Sequence, residues 1–590
     1  MINFNVQIRH FPFNAASQGL IESWKNGSRE YGANWPVVYM IHNDKTHMAY
    51  VGETLNAGRR AAQHWSNPER QCLSTIHIMT DDTFNKSVIL DLESFLIRYI
   101  SADRTYTLQN SNAGLADFDY FNRKEYEQEF QKIWGKLKES GLVKTNIADI
   151  QDSDFFKYSP YKALTIDQQD VLSKILYIFA GYLKRNLETS IVVEGGPGTG
   201  KTILAIYLLK LLCDLKNNAY DQPDAPEGTA SETSEIQSIL KHRELKIGFI
   251  VPQQSLRGTI KKVLNTIHGM SDALVLTPLE AARIGKDEPF DLLLCDEAHR
   301  LHRRYGLSQY ASYDNMNREL GLPADATELD WIIHSSRMQL LFYDSDQSVR
   351  PSDITSDMFR QVLSSRSVSR LQLRSQLRCL GGDDYIRYVH DVLETEGTDL
   401  PVSGSASAVM HENPLPWVRP SFENYSMQFY NDLDMMMDEI NRLNQKHGLC
   451  CAVAGYGWKW ATKDEPADTA LRDITVGRGY IWNRTNTDWI NSDRLPNEIG
   501  CIHTVQGYDL NYVGVIFGPE IIYDKKTHRI EVVKKNYFDS LGKAVGDDLE
   551  SLRTYILNIY ATLLTRGIRG VLVYVCDPDL REYLRPYFQS

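Results

Sequence analysis

A chain of 590 residues is too long for a single hydrophobic core and points to three or four domains. Its 42% hydrophobic and 24% charged residues suit ordinary globular domains, and no run approaches the roughly 20 apolar residues that span a bilayer, which argues against a membrane protein and for a cytoplasmic one. The net charge of −12 excludes a general electrostatic attraction to nucleic acid, so any such contact must come from local grooves.

In chain order, Val37-Val38-Tyr39 and Ala49-Tyr50-Val51-Gly52 read as two strands joined by the turn-like His42-Asn43-Asp44-Lys45-Thr46. Arg60 and His64 follow at i, i+4 and share a helix face. Glu93 falls in the amphipathic helical run Leu90 to Ile97, and Asn110 follows the next strand-like segment. These spacings resemble the GIY-YIG endonuclease family over roughly residues 34 to 114, with Val37 standing where the family has its first glycine. The resemblance implies that Tyr39 and Tyr50 are the paired tyrosines, one acting on the attacking water with help from metal or His64. It further implies that Arg60 stabilises the scissile phosphate and that Glu93 holds one Mg²⁺. The chemistry is coherent, since phosphodiester hydrolysis needs a base, a cation at the phosphate and a metal for the leaving oxygen. A single carboxylate suffices for Mg²⁺, which keeps several of its waters.

The charged stretch Arg123 to Ser140 carries one apolar stripe (Phe130, Ile133, Trp134, Leu137) and is predicted to be a connecting helix. From about Leu164, strands alternate with helices, the pattern of a parallel sheet covered on both faces. Gly195 to Thr202 reads G-G-P-G-T-G-K-T, directly after the apolar Ser190 to Val193 and directly before the helix-patterned Ile203 to Leu212. That is a phosphate-binding loop in its required setting. Gly195, Gly198 and Gly200 let backbone N–H groups turn inward on one anion, Lys201 reaches the β- and γ-phosphates, and Thr202 holds Mg²⁺. The polar, breaker-rich segment from Asn217 to Glu235 is predicted to be a mobile insertion, at about 215–240. Leu292 to His299 is an apolar strand ending in two carboxylates, of which Asp296 suits the Mg²⁺ shell and Glu297 suits polarising water.

Around this pair lie further candidates. Gln168, just ahead of the loop, is positioned to bond an adenine edge and select ATP, and Gln347 in Leu341 to Gln347 is positioned to sense the γ-phosphate. Leu373 to Cys379, His503 to Asp509 with Gln506 and Gly507, and Tyr560 to Gly567 complete a series that resembles the ordered motifs of superfamily 1 helicases. Ala454 to Trp460, Gly500 to Gly507 and Leu563 to Gly570 narrow the resemblance to the Schlafen group 3-type DNA/RNA helicase-like domain, over roughly the last 430 residues. By that resemblance Arg378 and Arg566 come from the second lobe to the γ-phosphate, where removing such a finger costs about 10³ or more in rate. Trp458, Trp460, Trp482 and Trp489 are either core residues or platforms on which bases stack.

The expected fold is α/β: a small mixed α/β GIY-YIG domain (1–115), a helical connector (116–160), and two RecA-like parallel-sheet lobes of a P-loop NTPase (161–355 and 356–590). The expected function is an ATP-dependent, Mg²⁺-using nucleic-acid motor coupled to an endonuclease, acting on DNA before RNA, with oligomers allowed and a setting in prokaryotic antiphage defence or DNA processing. The alternatives are a nucleotide-gated sensor or clamp whose output is the nuclease, and a binding module with an inactive nuclease.

Overall fold

The computed structural model describes residues 4–25, 28–110, 120–186, 188–217, 229–307, 309–344, 347, 350–374, 379–394, 419–464, 470–484, 489–491, 496–505, 510–539, 542–545 and 548–589. Two compact units form. One comprises residues 1–187, 202–249 and 258–275, and the other 188–201, 250–257 and 276–590. No helix among the described residues is long and apolar enough to cross a membrane.

The N-terminal sheet contains β1 (Gln7–Pro12), β2 (Val37–Asn43), β3 (Met48–Thr54), β4 (Thr75–Thr80) and β5 (Thr107–Leu108) in the order β1-β4-β2-β3-β5. Only the β3–β5 pairing is parallel. Period-two alternation gives the sheet two apolar faces. Val38, Met40, Ala49 and Val51 belong to one core and Val37, Tyr39, Ile41 and Tyr50 to the other. Val37, at the motif's glycine position, is fully buried in regular strand opposite Thr54, so the strand needs no glycine there. The expected connector, the helix Arg123–Glu139, is instead part of this domain: Phe130, Ile133, Trp134 and Leu137 are buried in the core that contains Val38 and Met40. An apolar stripe on a charged helix must be covered by something, and here the N-terminal sheet and its helix Lys86–Asp103 supply the cover. The expected mobile insertion also shrinks. Residues 218–228 lie outside the described residues, but Ala230–Leu240 is a helix that buries Thr233, Ile236 and Leu240 along one side.

The phosphate-loop sheet runs β11-β6-β10-β9-β7-β8, with β6 (Thr189–Gly195), β7 (Ile247–Ile250), β8 (Val275–Leu276), β9 (Phe290–Cys295), β10 (Ser336–Tyr343) and β11 (Val368–Leu373). The β6, β9, β10 and β11 pairings are all parallel, and β11 takes this sheet beyond residue 355, where the sequence suggested the second lobe would begin. A second six-stranded sheet follows: β12 (Ser426–Tyr430), β13 (Cys450–Ala454), β14 (Ile481–Trp482), β15 (Glu498–Cys501), β16 (Leu510–Phe517) and, after the hairpin β17 (Ile521–Asp524) and β18 (Arg529–Val532), β19 (Gly567–Val575). Its order is β12-β19-β16-β13-β15-β14, all parallel. Strands covered on both faces read as continuous apolar runs, which is why Leu292 to Leu294 was legible as a strand. Trp482 and Trp489 are buried in the core of this lobe and Trp458 nearly so, which removes these three as base-stacking platforms.

Just past β16 the second lobe encloses a carboxylate. Glu520 is fully buried, one of its oxygens accepts the Tyr560 hydroxyl at 2.5 Å, and backbone presses against it from three sides. A Cβ added at Gly455, Gly457 or Gly518 would lie 2.1–2.2 Å from a Glu520 oxygen, so these glycines are required for want of space. Burial pushes the Glu520 carboxyl up to about 7, against the opposing pull of the Tyr560 bond. A carboxyl raised on folding contributes stability that is complete below its unfolded value near 4.3 and is lost as pH rises through 7. The loss amounts to about 4 kcal/mol. Thermal melts between pH 5 and 8 are therefore expected to show the parent chain weakening with pH and Glu520→Gln declining less steeply, the remainder belonging to Asp214, which burial raises to about 6; parallel slopes would refute the buried neutral carboxyl.

Candidate functional site

The phosphate loop leaves β6 at Gly195 and enters the helix Lys201–Lys216. Gly198 (φ 84°) and Gly200 (φ 80°) hold left-handed conformations that side chains resist. At Gly195 the constraint is crowding, since a Cβ would sit 2.6 Å from Thr199 Oγ1. Lys201 is buried, and its Nζ donates to the Gly196 carbonyl at 2.9 Å and to Asp344 at 3.2 Å. Asp344, at the end of β10, also accepts from Gln347 Nε2 at 2.5 Å. Sequence reasoning named Gln347 and missed Asp344; the available signal was a carboxylate ending a strand that pairs with the phosphate-loop strand.

The Lys201–Asp344 pair is 6% and 4% exposed, so each charge depends on the other. Removing one partner of a buried pair costs up to about 3–5 kcal/mol, less here because Lys201 also donates to the Gly196 carbonyl and lies in the field of Glu297. Asp344→Asn is thus expected to lower the melting temperature of the nucleotide-free chain and to enlarge the rise on adding ATP, whose phosphates would replace the lost carboxylate. An ATP-induced rise equal to the parent's would show that Lys201 does not exchange between the two.

β9 delivers Asp296 and Glu297. Asp296 is fully buried and its N–H donates to the Ile250 carbonyl at 3.0 Å. Glu297 sits in the left-handed region (φ 49°, ψ 47°), a conformation uncommon for a residue with a Cβ. This kink turns the chain into the short helical turn Ala298–Arg300, and brings the fully buried His299 back so that its Nε2 lies 2.9 Å from a Glu297 oxygen. Burial by itself would raise the Glu297 carboxyl, but His299, Lys201 and Arg566 outweigh it and hold the group well below the usual carboxylate range. Glu297 is therefore ionised. Arg566, 2% exposed, follows the helix Leu549–Leu564 and reaches this carboxylate's field from the second sheet. Lys201 and Arg566 thus both act on the Glu297 carboxylate although 365 positions separate the two (566 less 201). His299 was missed as a site residue, and only its place two residues after Glu297 hinted at it.

Other expected residues fare differently. Gln168 spends its carboxamide oxygen on the Thr165 N–H in a capping box and is 1% exposed, a structural use for a side chain expected to read adenine. Thr202 follows Lys201 in the first turn of its helix. Arg378, Gln506 and Gly507 lie outside the described residues.

Residues 188–577 match the family described as Schlafen group 3, DNA/RNA helicase domain, which is two thirds of the chain. The chain belongs to this family. A relative from Saccharomyces cerevisiae, the uncharacterized protein YPL245W, is 24% identical over 413 residues, covering 67% of this chain and 84% of the relative. Among solved structures, an arterivirus nonstructural protein 10 (helicase) with DNA aligns at 12% identity and a TM-score of 0.26, and the Escherichia coli DEAH/RHA helicase HrpB at 11% and 0.26. They align with 68% and 72% of this chain, which spans 62% and 44% of their respective lengths.

The Schlafen group 3 helicase domain begins after the N-terminal sheet, whose residues form a second candidate site. Tyr39 on β2 stands opposite Gly52 on β3, and Tyr50 opposite Ile41, so both tyrosines face one side. A Cβ at Gly52 would lie 2.3 Å from the Tyr39 hydroxyl oxygen, which accounts for that glycine. The helix Ala57–Trp65, capped by Asn56, presents Arg60 and His64 to the same place. Tyr39 Oη lies 2.7 Å from His64 Nε2 and accepts from Arg60 Nε at 3.3 Å. The Tyr50 ring centroid is 4.8 Å from that of His64. Burial first, then Tyr50 and Glu93, raise the Tyr39 phenol well above its ordinary value, with Arg60 opposing. Glu93, half-buried on the helix Lys86–Asp103, is thus within reach of the cluster. Asn110, just past β5, is tied to β3, with both amide atoms bonded to Val51 backbone at 3.0 and 2.8 Å. Among the described residues no group of three or more His, Cys, Asp or Glu is set to hold a metal ion.

Proposed function

We propose that this chain is an ATP-driven nucleic-acid motor joined to a Mg²⁺-dependent endonuclease of GIY-YIG type, the pairing that suits antiphage defence or DNA processing. The motor reading rests above all on the field that Lys201 and Arg566 exert on Glu297: a lysine for the phosphates, a carboxylate for the water, and an arginine from the second lobe for charge on the transferred phosphoryl. Asp296 and Thr202 are the residues that would hold Mg²⁺, which when bound would supply positive charge to the triphosphate, and Gln347 would report the γ-phosphate through Asp344. In this reading two RecA-like lobes follow the N-terminal domain, the first ending after β11.

The nuclease reading is supported by five residues, Tyr39, Tyr50, Arg60, His64 and Glu93, which share one electrostatic environment. Arg60 would bind the scissile phosphate, and Tyr39 would act on it or on the water. When bound at Glu93, Mg²⁺ supplies Lewis-acid stabilisation of the leaving oxygen. His64 is held neutral: burial first, then Arg70 and Arg60, push it down to about 2, so it serves as a hydrogen-bonding partner and not as a charged acid.

The test is cleavage of supercoiled plasmid and of labelled single-stranded DNA and RNA with Mg²⁺, under no nucleotide, ATP and a non-hydrolysable analogue. Cutting that changes with nucleotide, together with ATP-driven strand displacement, supports the coupled motor and favours one nucleic acid. Cutting gated by nucleotide without displacement supports a sensor or clamp, and ATPase without cutting supports a binding module.

A further inference from the structure

The N-terminal cluster contains a guanidinium that no motif contributes. The helix Ala57–Trp65 stops at Ser66, and Asn67 accepts from the Glu69 N–H to start the short turn Pro68–Arg70. This reversal returns Arg70 beneath His64, where it is 9% exposed, stacks 3.9 Å from the centroid of the Tyr50 ring and hydrogen-bonds Nδ1 of His64.

The donors and acceptors then determine the protonation pattern. A guanidinium keeps its charge and can only donate, so Nδ1 of His64 must accept and carries no proton. The neutral imidazole must place its hydrogen on Nε2, which donates to Tyr39 Oη at 2.7 Å. Arg60 Nε donates to the same oxygen at 3.3 Å. Both acceptor sites of the phenolic oxygen are thereby filled by donors, and the phenol's own hydrogen must point to a third group. If the tautomer were reversed, Nδ1–H would oppose Arg70 and Nε2 would take the Tyr39 hydrogen.

Resting on the cleavage reading above, we propose that Arg70 is a positioning residue for strand cleavage. It locks His64 in the neutral Nε2–H tautomer, and so directs the Tyr39 O–H away from the imidazole. His64 accordingly takes no proton from Tyr39. Arg70 is buried behind the imidazole and meets no substrate.

The full chain, labelled with ¹⁵N in its histidine rings, tests this directly through two-bond ¹H–¹⁵N correlations, with His64 assigned by its disappearance in His64→Asn. The expected pattern is a protonated Nε2 and a bare Nδ1 that stay unchanged from pH 5 to 8. In Arg70→Met the His64 signals are expected to move toward the Nδ1–H form or to titrate in that range. Plasmid cleavage with Mg²⁺ should fall by about 10²-fold in kcat with KM unchanged, and Arg70→Lys, which still only donates, should recover part of the loss. A parent His64 protonated on Nδ1 overturns the proposal, and so does Arg70→Met with the parental tautomer and kcat. If Arg70→Met fails to fold, the parent spectrum and Arg70→Lys still decide. A parent chain with the expected tautomer that cuts no substrate overturns the cleavage reading and leaves the tautomer lock standing.

Discussion

Glu297→Gln is expected to lower ATP turnover by about 10³-fold while leaving ATP binding at least as tight as in the parent chain. The amide keeps the volume of the side chain but lacks the negative charge that polarises and orients the attacking water. It also removes a negative charge from the field shared by Lys201 and Arg566, so the positive groups that face the triphosphate are less neutralised. The left-handed backbone at residue 297 accepts Gln as readily as Glu, so the kink into Ala298–Arg300 is retained. Steady-state ATPase rates alongside equilibrium binding of a fluorescent ATP analogue separate the two effects. Hydrolysis at the parental rate would remove Glu297 from the catalytic role, and loss of binding together with turnover would point to a structural one.

The second large effect is expected in the other unit. Glu93→Ala should abolish Mg²⁺-dependent cleavage, a loss of several kcal/mol of transition-state stabilisation and so on the order of 10³-fold, with ATPase unchanged. Glu93 is half-buried on a helix whose fully buried Leu92 and Leu96 carry the packing, and alanine is the best helix former, so the substitution spares the fold. Lys201 and Glu297 belong to a different compact unit, which predicts independence of the two activities under saturating ATP. Plasmid nicking and ATPase assays on the same preparation check this. Cleavage that survives the change would remove the metal role of Glu93, and loss of ATPase as well would mean that the units are energetically inseparable.

The contrast between these two sites shows where local pattern suffices. A phosphate loop needs glycines, a lysine and a strand-to-helix transition within eight consecutive residues, 195 to 202, so its chemistry and its setting are written in one short segment. The strand ending in Asp296-Glu297 and the alternation of apolar runs with helical periods are equally local, and with them the α/β class. The paired tyrosines, Arg60 and His64 could be gathered from spacing because a hairpin and one helix turn relate them by simple geometry. Family membership followed from the same short motifs taken in order.

Other features arise only when distant segments pack. Lys201 meets Asp344 across 143 positions because β10 pairs with β6, and no periodicity encodes that register. Arg70 meets His64 across only six positions, yet a helix stop and a short turn lie between them, and the direction in which the chain leaves a helix is set by what it packs against. Glu520 became a buried carboxyl because three glycines from two loops close on it, and the charged helix Arg123–Glu139 became part of a domain because a sheet face required cover. Sequence by itself determined the loop chemistry, the strand and helix types and the family, since these depend on neighbours along the chain. Tertiary structure decided which charges share a field, which polar groups are buried and which proton a histidine keeps, since desolvation and Coulomb interactions depend on distance in space.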